Sequence, residues 1–98
     1  VIDAFVLDYV RRNQSVLPTD LVDAASAAGF RVCGDYELHH GSYSIVPFVS
    51  YEFAVVLSEL LAAGRLRLRP TSRADYLAFS PRIASNVKLL PVRLEVPQ

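Results

Sequence analysis

The sequence predicts an α+β domain. Three segments carry apolar residues at helical spacing, other segments alternate with a period of two, and glycine or proline separates most of them. Together these give three helices, an added β-hairpin between the second and third, and a C-terminal β-hairpin. A chain of 98 residues suits one domain. Its core is expected over about 2–80, with 81–98 as an extended C-terminal segment.

Ile2, Phe5, Val6, Tyr9 and Val10 fall at i, i+3, i+4, i+7 and i+8, which predicts a first helix over roughly 2–13. Arg11 and Arg12 oppose the negative end of its dipole, and Asn13 is expected to close it in the left-handed conformation. Leu17-Pro18-Thr19-Asp20 begins a second helix, about 18–29, with Thr19 as the expected cap and Asp20 and Asp23 near its positive end. Gly29 ends it, and Phe30 follows where a hydrophobic cap contact is common.

From residue 30 to 48 the period changes to two. Val32, Tyr36 and Leu38 are expected on one face, and Cys33, Asp35, Glu37 and His39 on the other. His39-His40-Gly41-Ser42 has turn chemistry, and Tyr43–Phe48 reads as a return strand ended by Pro47. Gly34 weakens the first strand, so an irregular loop is the alternative. Ser50 is the expected cap of a third helix whose stripe is Phe53, Val56, Leu57, Leu60 and Leu61, stopped by Gly64. Arg65-Leu66-Arg67-Leu68-Arg69 then alternates strictly, leucines inward and arginines outward. Residues 70–75 form a turn-rich tip, and Tyr76–Phe79 is expected to pair back. Val87–Val96, interrupted by Pro91, reads as a last extended segment at an edge or as an irregular tail.

Composition narrows the function classes. An apolar fraction of 52% with ten basic and ten acidic residues excludes a disordered chain. One cysteine excludes an intramolecular disulfide framework and most Cys-rich zinc sites. The longest apolar stretch, Phe53–Ala63, is broken by Ser58 and Glu59 and is about half the length of a membrane span. The chain opens on Val1 without a basic-then-apolar leader, so a soluble, cytoplasmic piece of a longer protein is expected, with no membrane partner. Neutrality hides a polarity: residues 1–63 hold three basic and eight acidic side chains, and residues 64–98 hold seven and two. The halves therefore carry −5 and +5, and charge distribution decides which partners are attracted.

Three helices, a glycine and an alternating hairpin with an arginine-bearing tip resemble a winged-helix domain. The resemblance rests on Phe53-Ala54-Val55-Val56-Leu57-Ser58-Glu59-Leu60-Leu61-Ala62-Ala63-Gly64-Arg65-Leu66 and the hairpin to Phe79. It is similar to the third helix and wing of that superfamily, which commonly shows a Leu-Leu-x-x-Gly-x-Leu type of run there. About 20 residues, 30–49, stand where winged helices usually have a short turn. What the resemblance implies is nucleic-acid binding. The third helix, which in DNA-binding members typically enters the major groove, has Glu52, Ser58 and Glu59 as exposed polar groups and no Lys or Arg. Dense phosphate charge disfavours such a helix. The expected nucleic-acid contacts are Arg65, Arg67, Arg69 and Arg73 of the wing, extended by Arg82.

Other chemistry is thinner. Cys33, Asp35, Glu37 and His39, with His40 adjacent, are all possible zinc ligands by type. Same-face positions are strung along a strand at roughly 3.3 Å per residue, whereas tetrahedral ligation needs convergence, so no metal is expected. Ser42 and Ser44 lie near His39 and His40, but turn composition accounts for that proximity. The glycines are too widely separated for a phosphate loop. Tyr36, Tyr43, Phe48, Tyr51 and Phe53 are close in sequence. Most are expected in the core, with some aromatic surface around 43–51 left exposed or covered by another chain.

The leading expectation is a non-catalytic domain without cofactors that binds duplex DNA through its arginine-bearing wing. The alternative is a protein-interaction or oligomerisation module, homo-oligomers included, using the 30–51 hairpin and Tyr36, Tyr43, Phe48 and Tyr51.

Overall fold

Three helices occupy the segments of helical periodicity in a computed structural model that describes residues 1–40, 43–71 and 92–97. Helix α1 spans Ile2–Asn13 and buries Val6, Leu7 and Val10. Its end differs from expectation. Asn13 is the last helical residue and its side-chain amide donates to the Tyr9 carbonyl at 2.8 Å, while Gln14 takes the positive φ of 67°. Helix α2 spans Pro18–Ala27. Leu17 holds the cap position and Pro18, which lacks an N–H to satisfy, opens the first turn. Thr19 is consequently inside the helix and buried, not its cap. Burial pushes the Asp20 carboxyl above its usual value, Asp23 adds to this, and Arg93 opposes it.

Helix α3 spans Tyr51–Ala62, and Ser50 caps it as expected: its Oγ accepts from the Phe53 N–H at 3.1 Å and donates to the Arg31 carbonyl at 3.0 Å. Helices α2 and α3 end alike. Gly29 (φ 96°) and Gly64 (φ 74°) each turn left-handed, and two backbone bonds close each end, Gly29 to Ser26 and Phe30 to Ala25, Gly64 to Leu61 and Arg65 to Leu60. The Phe30 ring packs against the Phe5 ring of α1, 5.3 Å between centroids.

A two-residue strand that periodicity does not reveal, β1 (Ser15–Val16), lies between α1 and α2. The hairpin between α2 and α3 is present as β2 (Cys33–His40) and β3 (Tyr43–Val49), which pair antiparallel. After α3 come β4 (Arg67–Pro70) and β5 (Val92–Glu95). Strands β1, β5 and β4 form an antiparallel sheet in that order, with Val16 opposite Leu94 and Leu68 opposite Leu94.

Strand β5 is thus the middle of its sheet and not an edge. The described part of the 87–96 segment carries Val92 and Leu94 into the core, so the core does not stop near residue 80. The expected return of Tyr76–Phe79, the tip beyond Thr71 and the Gly41-Ser42 turn lie outside the described residues. The core joins Val6 and Val10 of α1, Leu21 of α2, Phe53 and Leu57 of α3, and Leu94, all 0% exposed. Each large apolar side chain removed from water contributes about 1.5–3 kcal/mol. Among the described residues no helix is long and apolar enough to cross a membrane.

Candidate functional site

The three described arginines of the expected wing, Arg65, Arg67 and Arg69, have different surroundings. Arg65 precedes β4 and shares a cleft with Asp3 and Glu59, between the start of α1 and the end of α3. Arg67 and Arg69 are on β4, where both donate to Glu95: Arg67 Nε to Oε1, and Arg69 Nη1 to Oε2 at 3.4 Å. The register explains this, because Arg67 stands directly opposite Glu95. It also sets Arg69 opposite Arg93, an unfavourable like-charge pair. The two guanidinium groups turn apart: Arg69 to Glu95, and Arg93 to the Ser15 hydroxyl at 2.9 Å and its carbonyl at 3.1 Å. The Arg67 hydrogen bond, with Arg69 assisting, holds the Glu95 carboxyl below its ordinary value against the opposing effect of burial. Arg73 and Arg82 lie outside the described residues.

The tertiary fold adds a cation that sequence reasoning missed. Arg11, at the end of α1, lines a groove of about 630 Å³ with Arg67, Arg69 and Glu95. Among the described residues the Arg11 side chain has no ion pair. Three guanidinium groups against one carboxylate leave the groove basic. Its only sequence signal is the place of Arg11 at a helix end.

The aromatic residues divide as well. Phe53 is buried, but Tyr36, Tyr43, Phe48 and Tyr51 are 55%, 48%, 59% and 61% exposed. The expectation that core packing takes most of this group is therefore corrected. Alternation sets Tyr36 on one face with Val32 and Leu38, both of which are buried. The register slips between Cys33 and Tyr36 and again between Tyr36 and Leu38, so strict alternation fails and Tyr36 faces out. On β3 the strand runs through Pro47 to Val49, and two residues separate Val46 from Val49 where one separates their partners Leu38 and Tyr36. That extra residue accompanies a positive φ of 60° at Phe48, whose neighbours Pro47 and Val49 are buried while its own ring is wet.

Tyr36 and Tyr51 meet edge to face, 5.2 Å between centroids and 62° between planes. Tyr43 is apart from them. It pairs with His40 near the turn, six residues along β3 from Val49, which is about 20 Å at strand spacing. Tyr36 and Tyr51 line a cleft of about 380 Å³ whose helix side is Val55, Ser58 and Glu59 and whose strand side includes Glu37. Tyr51, Val55 and Glu59 recur at i, i+4 and i+8, a stripe that was legible in the sequence but eclipsed by the core stripe beside it.

Cys33 is a free, exposed thiol, and His39 Nε2 is 2.6 Å from Glu37 Oε1. Among the described residues no three His, Cys, Asp or Glu side chains group as metal ligands. Ser44 is buried opposite His39, but His39 bonds Glu37, and Ser44 Oγ has no hydrogen-bond partner among the described residues. Compared with protein families, with curated proteins and with solved structures, this chain matches none.

Proposed function

We propose that this chain is a winged-helix-like, non-catalytic protein-interaction module that works through the β2–β3 hairpin and the outer side of α3. The observation that carries the reading is the exposure of Tyr36, Phe48 and Tyr51, each at least 55% open, around the junction of hairpin and helix. Burying one such ring contributes about 1.5–3 kcal/mol, and Tyr is a frequent interface anchor. Left wet, these rings contribute little to the monomer. Phe48 supports the reading further, since a left-handed backbone at a non-glycine residue costs of order 1–3 kcal/mol and here holds an exposed ring. The likeness to winged helices is supported by three helices followed, after Gly64, by the antiparallel β4–β5 pair.

Benzoylphenylalanine at position 48 or 51 is expected to give discrete crosslinked adducts in an extract of the source cells. The same probe at position 12, on the exposed side of α1, is the control. Adduct patterns no different from that control overturn the reading.

A second reading, binding of duplex nucleic acid, is favoured by the groove shared by Arg11, Arg67 and Arg69. It stands second because Arg67 and Arg69 already share Glu95, and α3 offers phosphate two carboxylates and no cation. If three phosphates are met, the log–log salt dependence of DNA affinity has a slope near −3, from roughly −0.9 per phosphate. Arg67→Ala/Arg69→Ala should then weaken binding alike on every sequence tested. Unchanged affinity in that variant removes this reading.

A further inference from the structure

Strand β2 and helix α3, the two walls of the Tyr36–Tyr51 cleft, hold four carboxylates, Asp35, Glu37, Glu52 and Glu59, and neither contains a Lys or Arg. Two of the four, Glu37 and Glu59, line the cleft itself, one on each wall. The rest of the lining is different in kind: two tyrosine rings in edge-to-face contact, together with Val55 and Ala54. A ring face is electron-rich and attracts a cation within about 6 Å of its centroid. An apolar partner side chain would cover the rings but leave both carboxylates to be desolvated without compensation. An acidic partner, nucleic acid included, would be repelled. A cationic side chain with an aliphatic stem satisfies both features, its stem against the rings and its head between the carboxylates. Arginine suits this best, because its planar group stacks on an aromatic face while donating in the plane to carboxylates on either side. Glu37 is free to accept: His39 meets Oε1 and leaves the second oxygen without a protein donor among the described residues.

We propose that the Tyr36–Tyr51 cleft is the receptor for an arginine-bearing segment of a partner protein, the guanidinium stacking on the tyrosine pair and bonding to Glu37 and Glu59. The proposal rests on the interaction-module reading and names the chemistry of its partner.

The probe is a capped Gly-Arg-Gly tripeptide titrated into the isotope-labelled chain, with the citrulline tripeptide, uncharged but of the same shape, as control. The arginine peptide is expected to shift the amides of Tyr36, Tyr51 and Glu59 saturably, and the citrulline peptide to bind at least about fivefold more weakly. Tyr51→Leu, which keeps an apolar side chain, and Glu59→Gln should each weaken the arginine peptide by roughly two- to tenfold. Arg67→Ala/Arg69→Ala should leave it unchanged. Both substituted positions 51 and 59 are exposed, and unaltered amide spectra elsewhere establish that the variants fold. Equal binding of the two peptides overturns the proposal, as do shifts spread evenly over the exposed carboxylates of α1. Shifts of the cleft amides with protein concentration alone, or with a DNA duplex, assign it to a second copy or to nucleic acid and overturn it too. Crosslinking at position 51 together with equal peptide binding would leave the interaction module standing and remove only its cationic partner.

Discussion

At Gly34 a single hydrogen in place of a side chain decides how the hairpin meets α3. A Cβ there would lie 2.9 Å from the Val49 carbonyl oxygen and 3.0 Å from the Ser50 Cα, both backbone atoms that cannot swing away. In sequence this glycine reads as a weak point in a strand. In the fold it permits the close approach of two backbones just before the Ser50 cap, where the Ser50 N–H also donates to the Val32 carbonyl at 2.7 Å. Gly34→Ala is expected to destabilise the domain by about 1–3 kcal/mol, the usual range for overpacking. Urea unfolding measures it, and an unchanged midpoint would mean the hairpin yields without cost. Ser50 itself was legible, because a serine ahead of an apolar stripe with an acid in the first turn has one common use. Thr19 loses the cap role for a related reason: Pro18 can open a helix without any side-chain cap, so the cap position falls at Leu17, two residues before Thr19.

Between elements, the pairing of β4 with β5 governs the arginines. Glu95 is held below its ordinary pKa first by the hydrogen bond from Arg67 and then by Arg69. For a carboxyl whose folded pKa is depressed, the linked stability is present above the unfolded value, near 4.5, and is lost as pH falls through the lower folded value. Glu95→Gln should therefore be less stable than the parent at neutral pH, and the gap between them should narrow progressively in thermal melts taken further and further below about pH 4.5. A gap that persists in acid would mean that Glu95 acts through packing and not through its charge. The same substitution frees Arg67 and Arg69, so stronger binding of a DNA duplex by Glu95→Gln would favour the second functional reading. Alternation in Arg65–Arg69 was enough to send the leucines inward and the arginines outward. It could not supply the opposite strand, since the described partner begins 22 residues after Pro70 and register is decided where the two strands meet.

Over the whole molecule, the charge division at Gly64 keeps its sign but changes its meaning. The basic end is partly answered from within, by Glu95, while Glu37 of β2 and Glu59 of α3 line an aromatic cleft and are exposed. Arg11, counted with the acidic half in sequence, joins Arg67 and Arg69 in one groove. By itself the sequence determined three helices, the glycine ends of α2 and α3, the Ser50 cap, the existence of the inserted hairpin and the inward leucines. All of these follow from interactions spanning a few residues, where periodicity and capping chemistry are local. Only the tertiary structure decided that Val92–Glu95 is a central strand and that Tyr36 turns outward. The meeting of Tyr36 with Tyr51, and of Arg11 with the β4 arginines, was decided there too. Each of those depends on strand register, a bulge or the packing of distant elements, and such contacts leave no period in the chain that makes them.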